Sequence, residues 1–184
     1  MRPCRGCAGG SPDSDRAVLQ VARRGLGICY GCELVAYTLG GKVEHAETSE
    51  YGKRTFSFVK ASPLSKGIPA SSVCWMSHTD HVVEVPAGFE VLASTQTCPV
   101  TVYGSEEKRI YGVQFHPEVV HSEYGNKILE NFLYEVCGAK GDWTMGGFVA
   151  EQVEKIRRKG GSNKVLCAMS GGGDAAGHAP LHPR

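Results

Sequence analysis

The chain has no apolar run approaching the ~20 residues needed to span a bilayer. Its first stretch, MRPCRGCAGGSPDSD, lacks the apolar core of a secretion signal. Neither charge sign is in excess: the formal net charge is +1 and charged residues make up 21% of the chain, so the basic stripe required for binding a phosphate backbone is missing. These absences predict a cytoplasmic protein that engages neither membrane nor nucleic acid. Without a secretion context, the eight cysteines read as reduced thiols or ligands, most of them small buried residues, rather than as a disulfide framework. A length of 184 residues suits one domain with a core and is too short for two ordinary catalytic domains.

Residues 1–24 are rich in Pro, Gly, Ser and Arg with no apolar period, and the closing GGGDAAGHAPLHPR is similar, so both ends are expected to be poorly ordered. Between them a domain is expected over 25–140, followed over 141–184 by a linker helix and the opening of a second domain. A short buried strand at Leu26–Ile28 should lead into a helix carrying Leu34, Val35 and Leu39, stopped by Gly40-Gly41. Strand signals occupy Arg54 to His116: alternating Phe56 and Phe58, SVCWMS at 72–77, GFEVLAS at 88–94, PVTVYG at 99–104, and Arg109 to Phe115 after a polar turn. Ile128, Leu129, Phe132, Leu133 and Val136 form one stripe of a helix over 125–136, and a more polar helix is expected near 148–159. Lys164 to Met169 reads as a buried strand.

Gly27-Ile28-Cys29-Tyr30-Gly31, between strand and helix, has the form of a nucleophile elbow. A side chain on such a turn projects from the strand end, and the flanking glycines remove Cβ atoms that would collide. The following helix should aim its N-terminus at the sulfur and favour the thiolate. Alone the motif is weak, but Val113-Gln114-Phe115-His116-Pro117-Glu118 offers a base: a strand broken by proline at His116, with Glu118 placed to hold the imidazole. Cys29, His116 and Glu118 thus form a candidate catalytic triad. His81 and His121 read as surface residues, Trp75 and Trp143 as packing residues.

GICYG, Leu39-Gly40-Gly41-Lys42-Val43, Glu50-Tyr51-Gly52, Ser77-His78-Thr79-Asp80 and YGVQFHPEVVHSEYG occur in the order found in the amidotransferase domain of GMP synthetases, and the chain resembles that family over about residues 26–174. The tail, with Ser170, Gly171, Gly172 and Asp174, resembles the start of the family's ATP-pyrophosphatase domain. The resemblance implies an α/β, flavodoxin-like class I amidotransferase fold: a mixed, mostly parallel sheet flanked by helices, incomplete at the N-terminus, in a chain truncated at both ends. It also implies that Cys29 attacks the side-chain amide of glutamine, that His116 protonates the departing ammonia, that Glu118 orients His116, and that Tyr30 N–H helps hold the oxyanion. Tyr30, Gly31, Glu33, Ser77, His78 and Asp80 become candidate substrate contacts. No cofactor or metal is implied for glutamine hydrolysis. ATP, magnesium and XMP belong to the family's synthetase half, supplied by a separate subunit or domain. A homo-oligomer is a further possible arrangement.

Four departures from the family stand out. Only Gly9-Gly10-Ser11-Pro12 resembles its Gly-Gly-Pro loop, which supplies a second oxyanion donor worth ~100- to 1000-fold in rate. Glu33 stands where the family usually has Gln, and an ionised carboxylate accepts but cannot donate hydrogen bonds. Cys32 completes a C-x-x-C pair with Cys29, open to oxidation. Ala175 replaces the Ser of the pyrophosphatase loop. Three other readings stay open: an inactive remnant or interaction domain, a zinc ribbon through Cys4, Cys7, Cys29 and Cys32, and a thioredoxin-like pair.

Overall fold

The structure is a computed structural model that describes residues 24–142 and 144–161. These divide into one unit ending at Lys140 and a second beginning at Gly141. The first unit is built as β1 (Gly25–Ile28), α1 (Tyr30–Thr38), β2 (Lys42–Phe58), a 3-10 turn (Pro63–Ser65), β3 (Ser71–Glu84), β4 (Glu90–Ser94), β5 (Val102–Ser105), β6 (Ile110–Val113) and α2 (Gly125–Asn131), which runs into a π-turn (Phe132–Val136). The second holds α3 (Met145–Gly160). Lys164 to Met169, Trp143, Cys4, Cys7, the Gly9 to Pro12 loop and Ser170 to Asp174 lie outside the described residues.

The strands form one mixed sheet in the order β1-β6-β5-β4-β2-β3. Parallel pairing joins β1 to β6, with Ile28 opposite Val113; the other ladders among the described residues are antiparallel. Alternate side chains of β5 and β6 serve opposite faces. On one face Val102, Tyr111 and Val113 pack with Phe56, Met76, Phe115, Ile128 and Val136 under α2 and its π-turn. On the other, Tyr103 and Ile110 pack with Cys32, Val35 and Ala36 of α1. Helices therefore cover both faces of the sheet.

At the centre two tyrosines lie across two glycines. Tyr103 is paired with Gly112 and Tyr111 with Gly104. A Cβ on Gly112 would sit 2.3 Å from the Tyr103 ring, and one on Gly104 would sit 2.2 Å from the Tyr111 ring. Each ring covers the bare backbone of the opposite strand, an arrangement that fixes register because a slip by one residue would exchange the faces.

Several boundaries differ from the sequence expectation. Strand β2 starts at Lys42, well before Arg54, because its polar first half is carried by backbone pairing with β3 rather than by an apolar face; a register shift between His45 and Glu50 interrupts the alternation. Strand β6 ends at Val113, where the chain leaves β5: Gln114 N–H donates to Thr101 O at 2.8 Å and His116 N–H to Trp75 O at 3.0 Å. The expected helix over 125–136 loses α geometry at Phe132, and Cys137 N–H bonds to Phe132 O at 2.9 Å. Asn131, buried, donates to Leu64 O and Lys66 O and so ties α2 to the 3-10 turn. In α3, Thr144 caps Gly147 N–H at 3.1 Å, which starts the helix at Met145. Among the described residues no helix is long and apolar enough to cross a membrane.

A Cβ on Gly27 would come 2.5 Å from Gly31 O, and one on Gly125 would come 2.0 Å from Pro117 O, whereas one on Gly31 would meet nothing within 4 Å among the described residues. Gly27→Ala and Gly125→Ala should each lower stability by about 1–3 kcal/mol in urea titration. Gly31→Ala, in a helix, should be neutral or stabilising by up to about 1 kcal/mol.

Candidate active site

Cys29 sits where β1 gives way to α1, with φ +50° and ψ −112°, in the region L-residues rarely occupy. Its N–H donates to Val113 O at 2.9 Å, while its carbonyl accepts from Cys32 N–H and Glu33 N–H. The strand end and the helix start thus meet at one residue. The absence of a Cβ at Gly27 allows this close approach, and Gly31 does not share the burden. The sulfur faces Ser77 O at 3.8 Å.

Burial first, then Glu33, pushes the Cys29 thiol above its ordinary range; Glu118 adds to this, and the Tyr30 N–H opposes it. The expected pull of the helix toward thiolate is therefore outweighed, and the resting group needs a base. The other buried thiols are poorer nucleophiles. Cys98 is fully buried and pushed by burial to about 11, and Cys74, also inaccessible, to about 12. Cys32 points into the α1 face of the core, with its carbonyl accepting from Tyr103 O–H at 2.7 Å. A thiol in that position suits neither an exposed zinc knuckle nor a redox pair open to a substrate.

His116 and Cys29 reach the same stretch of β3. The His116 N–H donates to Trp75 O and the Cys29 thiol faces Ser77 O, two residues along the strand. Nδ1 of His116 lies 2.7 Å from Glu118 Oε1. Nδ1–H donates to the carboxylate, which leaves Nε2 as the basic nitrogen. Ser122 completes the support, donating to His116 O at 2.6 Å and accepting from Trp75 N–H at 3.1 Å. The sequence offered no signal for Ser122 beyond its polarity. The Trp75 ring packs on His121, with centroids 4.5 Å apart.

Of the residues singled out as substrate contacts, Tyr30, Gly31, Glu33 and the carbonyl of Ser77 lie around Cys29. Glu33, 7% exposed, accepts from Gln114 Nε2 at 2.8 Å. Burial raises its carboxyl to about 7, against the Gln114 hydrogen bond and with help from Asp80. Gln114 is fully buried and its Oε1 has no hydrogen-bond partner among the described residues. Asp80 bonds His45 Nδ1 at 2.9 Å.

His78 is turned the other way. Its Nδ1 meets Asp80 O at 2.9 Å and its Nε2 meets Glu50 Oε2 at 3.1 Å, both deep in the sheet. Since both ring nitrogens face acceptors, His78 reads as a support for the 77–80 segment rather than a free hand for substrate. Glu50 also accepts from Thr95 and Thr97 and faces Arg54 Nε at 3.7 Å. Ligand atoms of Glu50, His78 and Cys98 lie within 4.8 Å of one another, but these hydrogen bonds already use both Glu50 oxygens. His81, expected at the surface, is 9% exposed; burial first, then His78, holds its imidazole below the usual range. It is buried where the alternation of β3, which sends 72, 74, 76 and 78 inward, breaks and 81 and 82 are both covered.

The profile of the class-I glutamine amidotransferases matches residues 3–136. The glutamine-hydrolysing GMP synthase of Caldicellulosiruptor saccharolyticus is 52% identical over 93% of this chain and 34% of its own length. That of Acetivibrio thermocellus is 50% identical over 93% and 34%. The chain thus spans about a third of the length of these curated relatives. Among solved structures, a Thermoplasma acidophilum protein described as a candidate subunit of GMP synthase superposes with TM-score 0.59 at 32% identity, covering 71% of this chain and 60% of that one. With a profile match over most of its length and relatives about half identical across 93% of the chain, the chain belongs to the class-I glutamine amidotransferase family.

Proposed function

We propose that this chain is the glutamine-hydrolysing part of a GMP synthase, with Cys29 as nucleophile, His116 as general base and acid, and Glu118 as the group that orients His116. The observation that carries this reading is the strained elbow at Cys29 facing the same β3 stretch that anchors His116, with Glu118 holding Nδ1. Nε2 of His116 takes the thiol proton as the sulfur attacks the side-chain carbonyl of glutamine. The tetrahedral oxyanion forms near Tyr30 N–H. His116 returns the proton to nitrogen, ammonia leaves, and a glutamyl thioester remains on Cys29. Water, deprotonated by His116, then attacks the thioester and releases glutamate and the free thiol. The full-length relatives are named as GMP synthases, which supports passage of the ammonia to a synthetase domain or subunit that aminates XMP with ATP and magnesium.

The test is glutamate release from glutamine by the reduced chain. Cys29→Ala should abolish it and His116→Ala should lower kcat by about 100-fold or more. Undiminished release from Cys29→Ala would refute the assignment, and a folded wild-type chain that releases no glutamate would support an interaction domain instead.

Glu118→Gln should lower kcat more than it raises KM, because the neutral amide neither fixes the Nδ1–H tautomer nor stabilises the imidazolium as a carboxylate does; the loss should be about tenfold or more, read from initial rates. An unchanged kcat would remove Glu118 from the triad.

A further inference from the structure

Glu33 is a buried carboxyl in the first turn of α1, four residues past the nucleophile, and among the described residues no cation pairs with it. Among the described residues its charge acts on the thiols of Cys29 at the head of α1, Cys32 in α1 and Cys98 before β5 and on the Tyr103 hydroxyl in β5, while Asp80 of β3 raises Glu33 itself and Gln114 at the end of β6 bonds it. Its direct hydrogen bond is from Gln114 Nε2 at 2.8 Å. Among the described residues the same buried carboxamide leaves Oε1 without a donor, so there the pair has an acceptor to spare and lacks a proton. A proton on Glu33 adds a donor to this group and removes a charge that burial disfavours.

We infer that Glu33 is a proton-controlled positioning residue for Cys29: neutral, it lets the thiol give up its proton, and ionised, its buried charge in the first turn of α1 opposes thiolate formation. After burial, the Glu33 charge is what raises the Cys29 thiol most. The carboxyl titrates near 7, so the opposition grows across the neutral range instead of being constant. Glutamine hydrolysis then gains less from rising pH than a lone Cys-His pair would give. The inference rests on Cys29 being the nucleophile of the proposed glutaminase.

The experiment is the rate of Cys29 alkylation by iodoacetamide, followed by peptide mass spectrometry on the full chain from pH 5.5 to 8.5, for wild type and Glu33→Gln. The variant-to-wild-type ratio should be near one at the acidic end and rise to about tenfold at the alkaline end, the size of one unit in thiol pKa. In an Asp80→Asn background the rise should begin at lower pH, because Asp80 helps hold the Glu33 proton. A ratio of one throughout, or one raised equally at every pH, would overturn the inference.

Stability gives an independent reading. An acid raised from 4.5 to about 7 on folding stabilises the folded chain at low pH and loses that contribution as pH climbs through this window. Glu33→Gln should therefore melt close to wild type near pH 4.5 and progressively above it by pH 8. A pH-independent difference would contradict titration of Glu33. If glutamate release survives Cys29→Ala, the glutaminase reading fails; if it is lost while alkylation ignores Glu33, only this inference fails.

Discussion

The parallel pairing of β1 with β6 is the constraint on which the site depends. It places Ile28 opposite Val113 and bonds Cys29 N–H to Val113 O, so the end of one strand and the break of the other face the same direction. Everything chemical occurs just beyond that line. Cys29 turns into α1 with a backbone that only a close-packed setting sustains, and residues 114–118 leave the sheet toward β3. The tyrosines over Gly112 and Gly104 fix the register of β5 on β6 and thereby the height at which His116 emerges. A slip of one residue there would turn the core faces inside out and separate the pair.

Around this line the molecule puts buried polar groups to two uses. The Glu50–His78 pair, with Thr95, Thr97 and Arg54, is closed on itself and stiffens the segment whose Ser77 carbonyl faces the sulfur. The Glu33–Gln114 pair is open: one buried oxygen has no partner among the described residues and one carboxyl is forced toward its neutral form. Closed networks supply rigidity, whereas an open one leaves a group free to respond to protons or to a ligand.

The elbow was legible in the sequence because it depends on local chemistry, a glycine with no room for a Cβ, whereas the strand expected to run to His116 and stop at Pro117 ends at Val113. Of the stripe expected on α1, Val35 lies in the core, Leu39 packs against its edge and Leu34 joins neither core cluster, while Cys32 and Ala36 fill the core instead. The apolar runs of β4 to β6 were legible from their residues. Strand β2 was not, since its Glu- and Lys-rich first half is held by backbone pairing to β3 and shows no apolar alternation. His78 and Ser77 were grouped as one substrate-facing motif, but alternation along β3 sends them to opposite faces, one buried and one exposed. Gln114 and Ser122 carried no sequence signal as site residues; their roles come from partners more than forty residues away. Glu33 was noticed for its identity, but its burial beside Cys29 is a property of the fold.

The most direct measurement is mass analysis of the reduced chain quenched in acid during turnover of glutamine. The account predicts one glutamyl group on the peptide containing Cys29, in a yield that falls when His116 is replaced. Turnover with no adduct at Cys29, or with the glutamyl group on Cys32 or Cys98, would contradict it.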